Sequence, residues 1–227
     1  MIAIVDYGMA NLRSVEKALA RVGGDPVITG DPEVIARAER VVLPGVGAFC
    51  ACMSNLNGRG LNEAVVHTIE SGKPFLGICV GMQMLFDTSS EMGISSGLGL
   101  LPGRVVKFFE EPAAASDPEP TQDGDGATAS EHAPRLKVPH IGWNVLDVKK
   151  ESQILCGLEA GSRVYFVHSY YPIPSDTSVV SAVSDYGGEF CCAVESRNVA
   201  ATQFHPEKSG AVGLQILRNF LNWNPVM

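Results

Sequence analysis

The chain has 227 residues, 45% of them hydrophobic and 19% charged, with a formal net charge of −8. That length accommodates one sizeable core, or one domain with a small appendage. The acidic balance argues against nucleic acid as a main partner, because phosphate neutralisation needs a basic surface, and no apolar run approaches the roughly 18 residues of a membrane span.

Residues 1–5 are apolar but short and lack a basic leader, so they read as a first strand rather than a signal peptide; a cytoplasmic protein is expected. Residues 12–22 carry Leu12, Val15, Ala18, Leu19 and Val22 at helical spacing. A second short strand covers 26–28. Asp31-Pro32 signals an N-cap with proline in the first turn, opening a helix through 38. Residues 41–43 form a third strand, broken by Pro44-Gly45-Val46-Gly47. A helix over 61–69 ends at Gly72, and 75–78 reads as a buried strand that turns into a helix carrying Met82, Met84, Leu85 and Phe86. Strand–helix alternation of this kind predicts an α/β fold, a mostly parallel sheet with helices on both faces. Sites then lie at the carboxyl ends of the strands.

The second half has a different texture. Residues 103–109 resume strand character. Residues 110–134 are acidic and rich in Pro, Ala and Gly, with almost no large apolar groups, and read as a flexible surface loop. Strands over 136–138, 144–148, 164–167, 179–183, 192–195 and 199–203 follow in a hairpin-like, antiparallel style, and 210–223 is a closing helix. The whole, 1–227, reads as a single domain. Six cysteines stand at 50, 52, 79, 156, 191 and 192. They fit neither the spacing of a zinc site nor, in a chain this long, a disulfide framework. No metal and no cofactor is expected.

One cysteine stands apart. Cys79 lies where a strand meets a helix, between Gly77 and Gly81, the arrangement of a nucleophile elbow. A tight turn of this kind strains the nucleophile's backbone and needs small neighbours, and the helix end beyond it offers N–H groups to an anion. A cysteine nucleophile needs a base and the base an orienting group. His205-Pro206-Glu207 supplies both, on the expectation that residues two apart in an extended segment project to one side. Pro44–Gly47 is placed to offer the backbone N–H of Val46, with that of Val80, to an oxyanion.

Together with Gln83, these residues resemble the class I (triad-type) glutamine amidotransferases, whose marks are a G-x-C-x-G-x-Q elbow and a terminal H-P-E. The segments DYGMANLRSV (6–15), LPGVG (43–47), PHIGWN (139–144), YFVHSY (165–170) and FHPEKS (204–209) narrow the resemblance to the glutaminase subunits of imidazole glycerol phosphate synthases, enzymes of histidine biosynthesis. It covers nearly the whole chain except about 110–134. The resemblance implies a flavodoxin-like sheet and hydrolysis of L-glutamine: Cys79 attacks the side-chain amide, His205 relays protons, Glu207 orients His205, and a glutamyl thioester forms. It implies that Val46, Gly47, Val80, Gln83, Glu91, Ser169 and Tyr170 bind the substrate. Ammonia passes to a cyclase subunit in a heterodimer, contacted by Asn11, Trp143, Asn144, Tyr165 and Lys208, and the oxyanion loop rests closed. Two departures stand out: Ala10, where many relatives carry glycine, and the length of 110–134. Competing readings are an amidotransferase serving another synthase, or a thiol sensor of similar fold.

Overall fold

The computed structural model describes residues 1–109 and 136–225. The first half is β1 (Ile2–Val5), α1 (Leu12–Arg21), β2 (Pro26–Thr29), α2 (Pro32–Arg37), β3 (Arg40–Gly45), α3 (Phe49–Gly58), α4 (Asn62–Glu70), β4 (Phe75–Cys79) and α5 (Val80–Gln83). Then come β5 (Phe86–Ser89), β6 (Ser95–Ser96), β7 (Leu101–Lys107), β8 (His140–Val145), β9 (Asp147–Val148), β10 (Arg163–His168) and β11 (Tyr170–Pro174). The chain closes with β12 (Val180–Asp185), β13 (Glu189–Ser196), β14 (Val199–Thr202) and α6 (Gly210–Asn222).

Eight strands form the main sheet in the order β2-β1-β3-β4-β14-β13-β12-β9. Neighbours from β2 to β14 are parallel, and the remaining pairs are antiparallel. Strands β1, β4 and β14 are buried at every residue. That is why the sequence shows continuous apolar runs there rather than alternation: both faces of a central parallel strand are covered. The order reverses direction after β2, and right-handed crossovers therefore put α1 on one face and α2 and α4 on the other. The packing agrees, α1 lying against α6 and α2 against α4. Asp31 caps α2 as expected, its Oδ1 accepting the Glu33 N–H at 2.9 Å with Pro32 in the first turn. A four-stranded sheet (β11-β7-β5-β6) and a two-stranded ribbon (β10-β8) complete the fold. No helix among the described residues is long and apolar enough to cross a membrane.

Several expectations need correction. The third strand does not break at Pro44: β3 runs through Gly45, which pairs in register with Cys79. The helix after the elbow is a single turn. The backbone of 84–86 bonds instead to 97–101, with Leu98 N–H on the Met84 carbonyl and Leu101 N–H on that of Leu85, so Phe86 opens a strand. Tertiary pairing overrides the helical spacing of Met82, Met84 and Leu85. Residues 136–138 are not a strand; the ribbon begins at His140 and the expected 144–148 strand divides into β8 and β9. Helix α3 and strands β5, β6 and β11 were not anticipated. The loop expected at 110–134 lies outside the described residues.

Candidate active site

The sheet order explains how two ends of the chain meet. Strand β14 lies beside β4 in parallel, with Thr202 opposite Ile78. Cys79 is one residue past that pair and His205 three, so both emerge at the same carboxyl edge. Cys79 has φ 56° and ψ −113°, a left-handed conformation that costs a non-glycine residue energy. The elbow is packed too closely for side chains. A Cβ on Gly81 would overlap the Leu43 carbonyl oxygen, and one on Gly45 would come within 2.9 Å of Val80 Cβ and 2.8 Å of the Tyr7 hydroxyl. Tyr7 in turn donates its O–H to the Pro44 carbonyl at 2.8 Å.

His205 and Glu207 meet, though not by the anticipated route. His205 is extended, but Pro206–Lys208 form a 3-10 turn, and it is this turn that folds the carboxylate back onto the ring. Glu207 Oε1 lies 2.8 Å from His205 Nδ1, with both side chains buried, 1% and 3% exposed. The backbone of His205 is held as well: its N–H donates to the Tyr165 carbonyl at 3.0 Å, and its carbonyl accepts the Ser209 hydroxyl at 2.6 Å. Nε2, the nitrogen turned away from Glu207, is buried and has no hydrogen-bond partner among the described residues. Burial disfavours the imidazolium, yet the Cys79 side chain first and the Glu207 carboxylate second outweigh it, lifting the His205 pKa to about 10. The ring is thus placed to hold a proton between Cys79 and Glu207.

Cys79 and His205 open into one cavity of about 290 Å³. It is lined by all seven residues expected to bind substrate: Val46, Gly47, Val80, Gln83, Glu91, Ser169 and Tyr170. Some are already engaged. Glu91 Oε2 accepts the Phe49 N–H at 2.6 Å, at the first turn of α3, and the Val46 N–H donates to the Met9 carbonyl at 3.2 Å. Pro139, Val167, His168 and Lys208 complete the wall.

A glutamine amidotransferase class-I family model matches residues 3–223. The chain belongs to the class I glutamine amidotransferases. Among curated members, it is 51% identical to the imidazole glycerol phosphate synthase subunit HisH of Syntrophotalea carbinolica, over 97% of this chain and 98% of that protein. It is 50% identical to HisH of Geobacter sulfurreducens, over 96% and 97%. Solved structures of lower identity share the fold of this amidotransferase. PurLQS from Thermotoga maritima superposes with a TM-score of 0.68 at 18% identity, over 97% of each chain. The glutaminase domain of Trypanosoma brucei CTPS gives 0.60 at 15%, over 99% of this chain and 95% of that one.

The five residues expected at a partner interface do not form one cluster in the amidotransferase. Trp143 and Tyr165 face each other across the β8–β10 ribbon, their rings edge-on at 6.2 Å, and Lys208 Nζ sits 5.9 Å from the Tyr165 ring centroid. Asn144 is turned partly inward, donating to the Asp185 carbonyl at 2.7 Å. Asn11 is exposed at the start of α1 and lines a separate depression with Asp6 and Arg13. Two features were not anticipated. His140 and His168 are a buried pair, Nδ1 to Nε2 at 3.2 Å, and burial lowers their pKa values to about 4 and about 3. Gln203, wholly buried, approaches the Cys79 sulfur; its place two residues before His205 was the available signal. All six cysteines are free thiols.

Proposed function

We propose that the chain is the glutaminase subunit of an imidazole glycerol phosphate synthase, releasing ammonia from L-glutamine for a cyclase partner in histidine biosynthesis. The observation that carries this reading is the His205–Glu207 contact of 2.8 Å, with His205 opening into the cavity that holds Cys79. The sulfur of Cys79 adds to the side-chain amide carbon while its proton resides on His205. The resulting oxyanion is met by backbone N–H groups at Val80 and the Pro44–Gly47 loop. Collapse expels ammonia with a proton from His205 and leaves a glutamyl thioester. Water, deprotonated by His205, then cleaves the thioester to glutamate and restores the thiol. Glu207 fixes the ring throughout.

Two observations favour dependence on a partner. The Val46 N–H is taken by the Met9 carbonyl, so the Gly45–Val46 peptide must turn before that N–H serves an oxyanion. Ile141, Trp143 and Val145, alternate residues of β8, are 59%, 48% and 42% exposed. They share one face of the ribbon, an apolar stripe of the kind that marks a docking site. The HisH relatives are subunits by name. Glutamate release should be low with glutamine alone and rise strongly when a (β/α)-barrel cyclase and its ribonucleotide are added. Equal release with and without that partner would contradict the coupled subunit.

A further inference from the structure

A second polar side chain reaches the nucleophile, and the triad does not employ it. Gln203 Nε2 lies 3.7 Å from Cys79 Sγ, with both side chains buried. The larger radius of sulfur makes that separation a hydrogen-bond distance. Which end of the Gln203 amide faces the sulfur is fixed by its neighbours. Gln83 Nε2 donates at 3.0 Å to the Tyr170 carbonyl and at 3.0 Å to Gln203 Oε1. A backbone carbonyl only accepts, so Gln83 must present its NH₂ group there. The same nitrogen faces Gln203, which must therefore offer its oxygen, leaving its own NH₂ group to the sulfur. Turning both amides over would set the Gln83 oxygen against the Tyr170 oxygen.

The backbone just past β14 makes this arrangement. The strand ends at Thr202 and the chain bends at Gln203 and Phe204, and beyond it the Gln203 amide and the His205 ring both reach Cys79. Phe204 between them points the other way, buried and edge-on to Phe166 at 5.8 Å. One strand end thus delivers both the base and an N–H donor to the elbow.

We infer that Gln203 is a positioning residue for the nucleophile: its side-chain N–H donates to the Cys79 sulfur, holds it toward the cavity and favours its anionic form. A donor to an ionised acceptor forms a stronger bond than one to a neutral thiol, so the contact tightens as the sulfur gives up its proton to His205. Its link to turnover rests on the glutaminase reading above; the contact itself does not. The other titratable groups around Cys79 are His205, Glu207 and Lys208 beyond β14, Cys52 on α3, Tyr7 after β1, and Glu91, His168 and Tyr170 on the cavity wall. A change at Gln203 leaves all of them chemically intact.

The test is the pH dependence of iodoacetamide alkylation at Cys79 in the full chain, read by peptide mass spectrometry, beside steady-state glutaminase kinetics. In Gln203→Leu the alkylation midpoint should move up by about one pH unit, and kcat should fall about tenfold with KM for glutamine little changed. Val199→Ala, a buried change at the far end of the same strand, should move neither. A folded Gln203→Leu chain with an unmoved midpoint overturns the inference. Should that variant not fold, the side-chain amide protons of Gln203 decide by NMR: they should shift upfield in Cys79→Ala relative to wild type, and an unchanged resonance overturns the inference equally. A moved midpoint in a chain whose wild type releases no glutamate would leave the contact standing and sink the glutaminase reading instead.

Discussion

Cys79 pays for its exposure to the cavity with a backbone conformation that suits glycine better. Cys79→Gly should therefore be more stable than Cys79→Ala by about 1 kcal/mol, measured by denaturant unfolding, although both lack the sulfur and neither should turn over glutamine. Equal stabilities would show that the elbow stores no strain. At the other end of the triad, Glu207→Gln keeps the shape but removes the charge that holds the ring at Nδ1 and raises the His205 pKa. Its kcat should drop on the order of 10²-fold, the usual scale of a displaced general base. Residue identities were the most legible part of the sequence, because a nucleophile elbow and a His–Glu pair are chemical patterns that survive without coordinates. Gln203 escaped notice because its role depends on a neighbour in space, Gln83, which fixes the direction of its amide.

Elements show where local pattern fails. Helix α5 is one turn long because the backbone of 84–86 pairs with 97–101, and within that turn Gly81 lies against the Leu43 carbonyl, where no Cβ fits. Gly81→Ala should destabilise the chain by roughly 3 kcal/mol or more, read from its melting curve, since backbone rather than a flexible side chain is in the way. The helix expected through Phe86 after the elbow and the strand expected at 136–138 both rest on short apolar runs, which periodicity alone cannot assign. The parallel strands and α1, α2 and α6 were legible because their patterns are long or capped. The β8–β10 ribbon carries its own pH signature. His140 and His168 sit opposite each other in register and stay neutral in the fold down to about pH 4 and about pH 3, chiefly because burial penalises the charged ring. Unfolded, each takes up a proton near pH 6.5, so stability is lost as pH falls below that value. Denaturant unfolding should show a loss of roughly 2–3 kcal/mol between pH 6.5 and pH 5. His140→Phe, stacked between Phe166 and Tyr186, should remove about half of it.

On the scale of the whole molecule, the site depends on a long-range closure. Strand β14, near the end of the chain, inserts beside β4 in the main sheet, and only this parallel pairing sets His205 beside Cys79. The antiparallel second half supplies the ribbon, whose Tyr165 carbonyl holds the His205 N–H on one side while its exposed stripe faces outward on the other. A partner seated on that stripe would press on the backbone that positions the base. Trp143→Ala should accordingly lower partner-stimulated glutamate release at least tenfold while leaving unfolding unchanged, as expected for an aromatic anchor at an interface. The most direct measurement is an acid-quenched reaction with glutamine and the cyclase partner, followed by mass analysis of every cysteine peptide. The account predicts a glutamyl adduct on the Cys79 peptide alone, absent from Cys79→Ala, which releases no glutamate. An adduct on another cysteine, or undiminished glutamate release by Cys79→Ala, would contradict it.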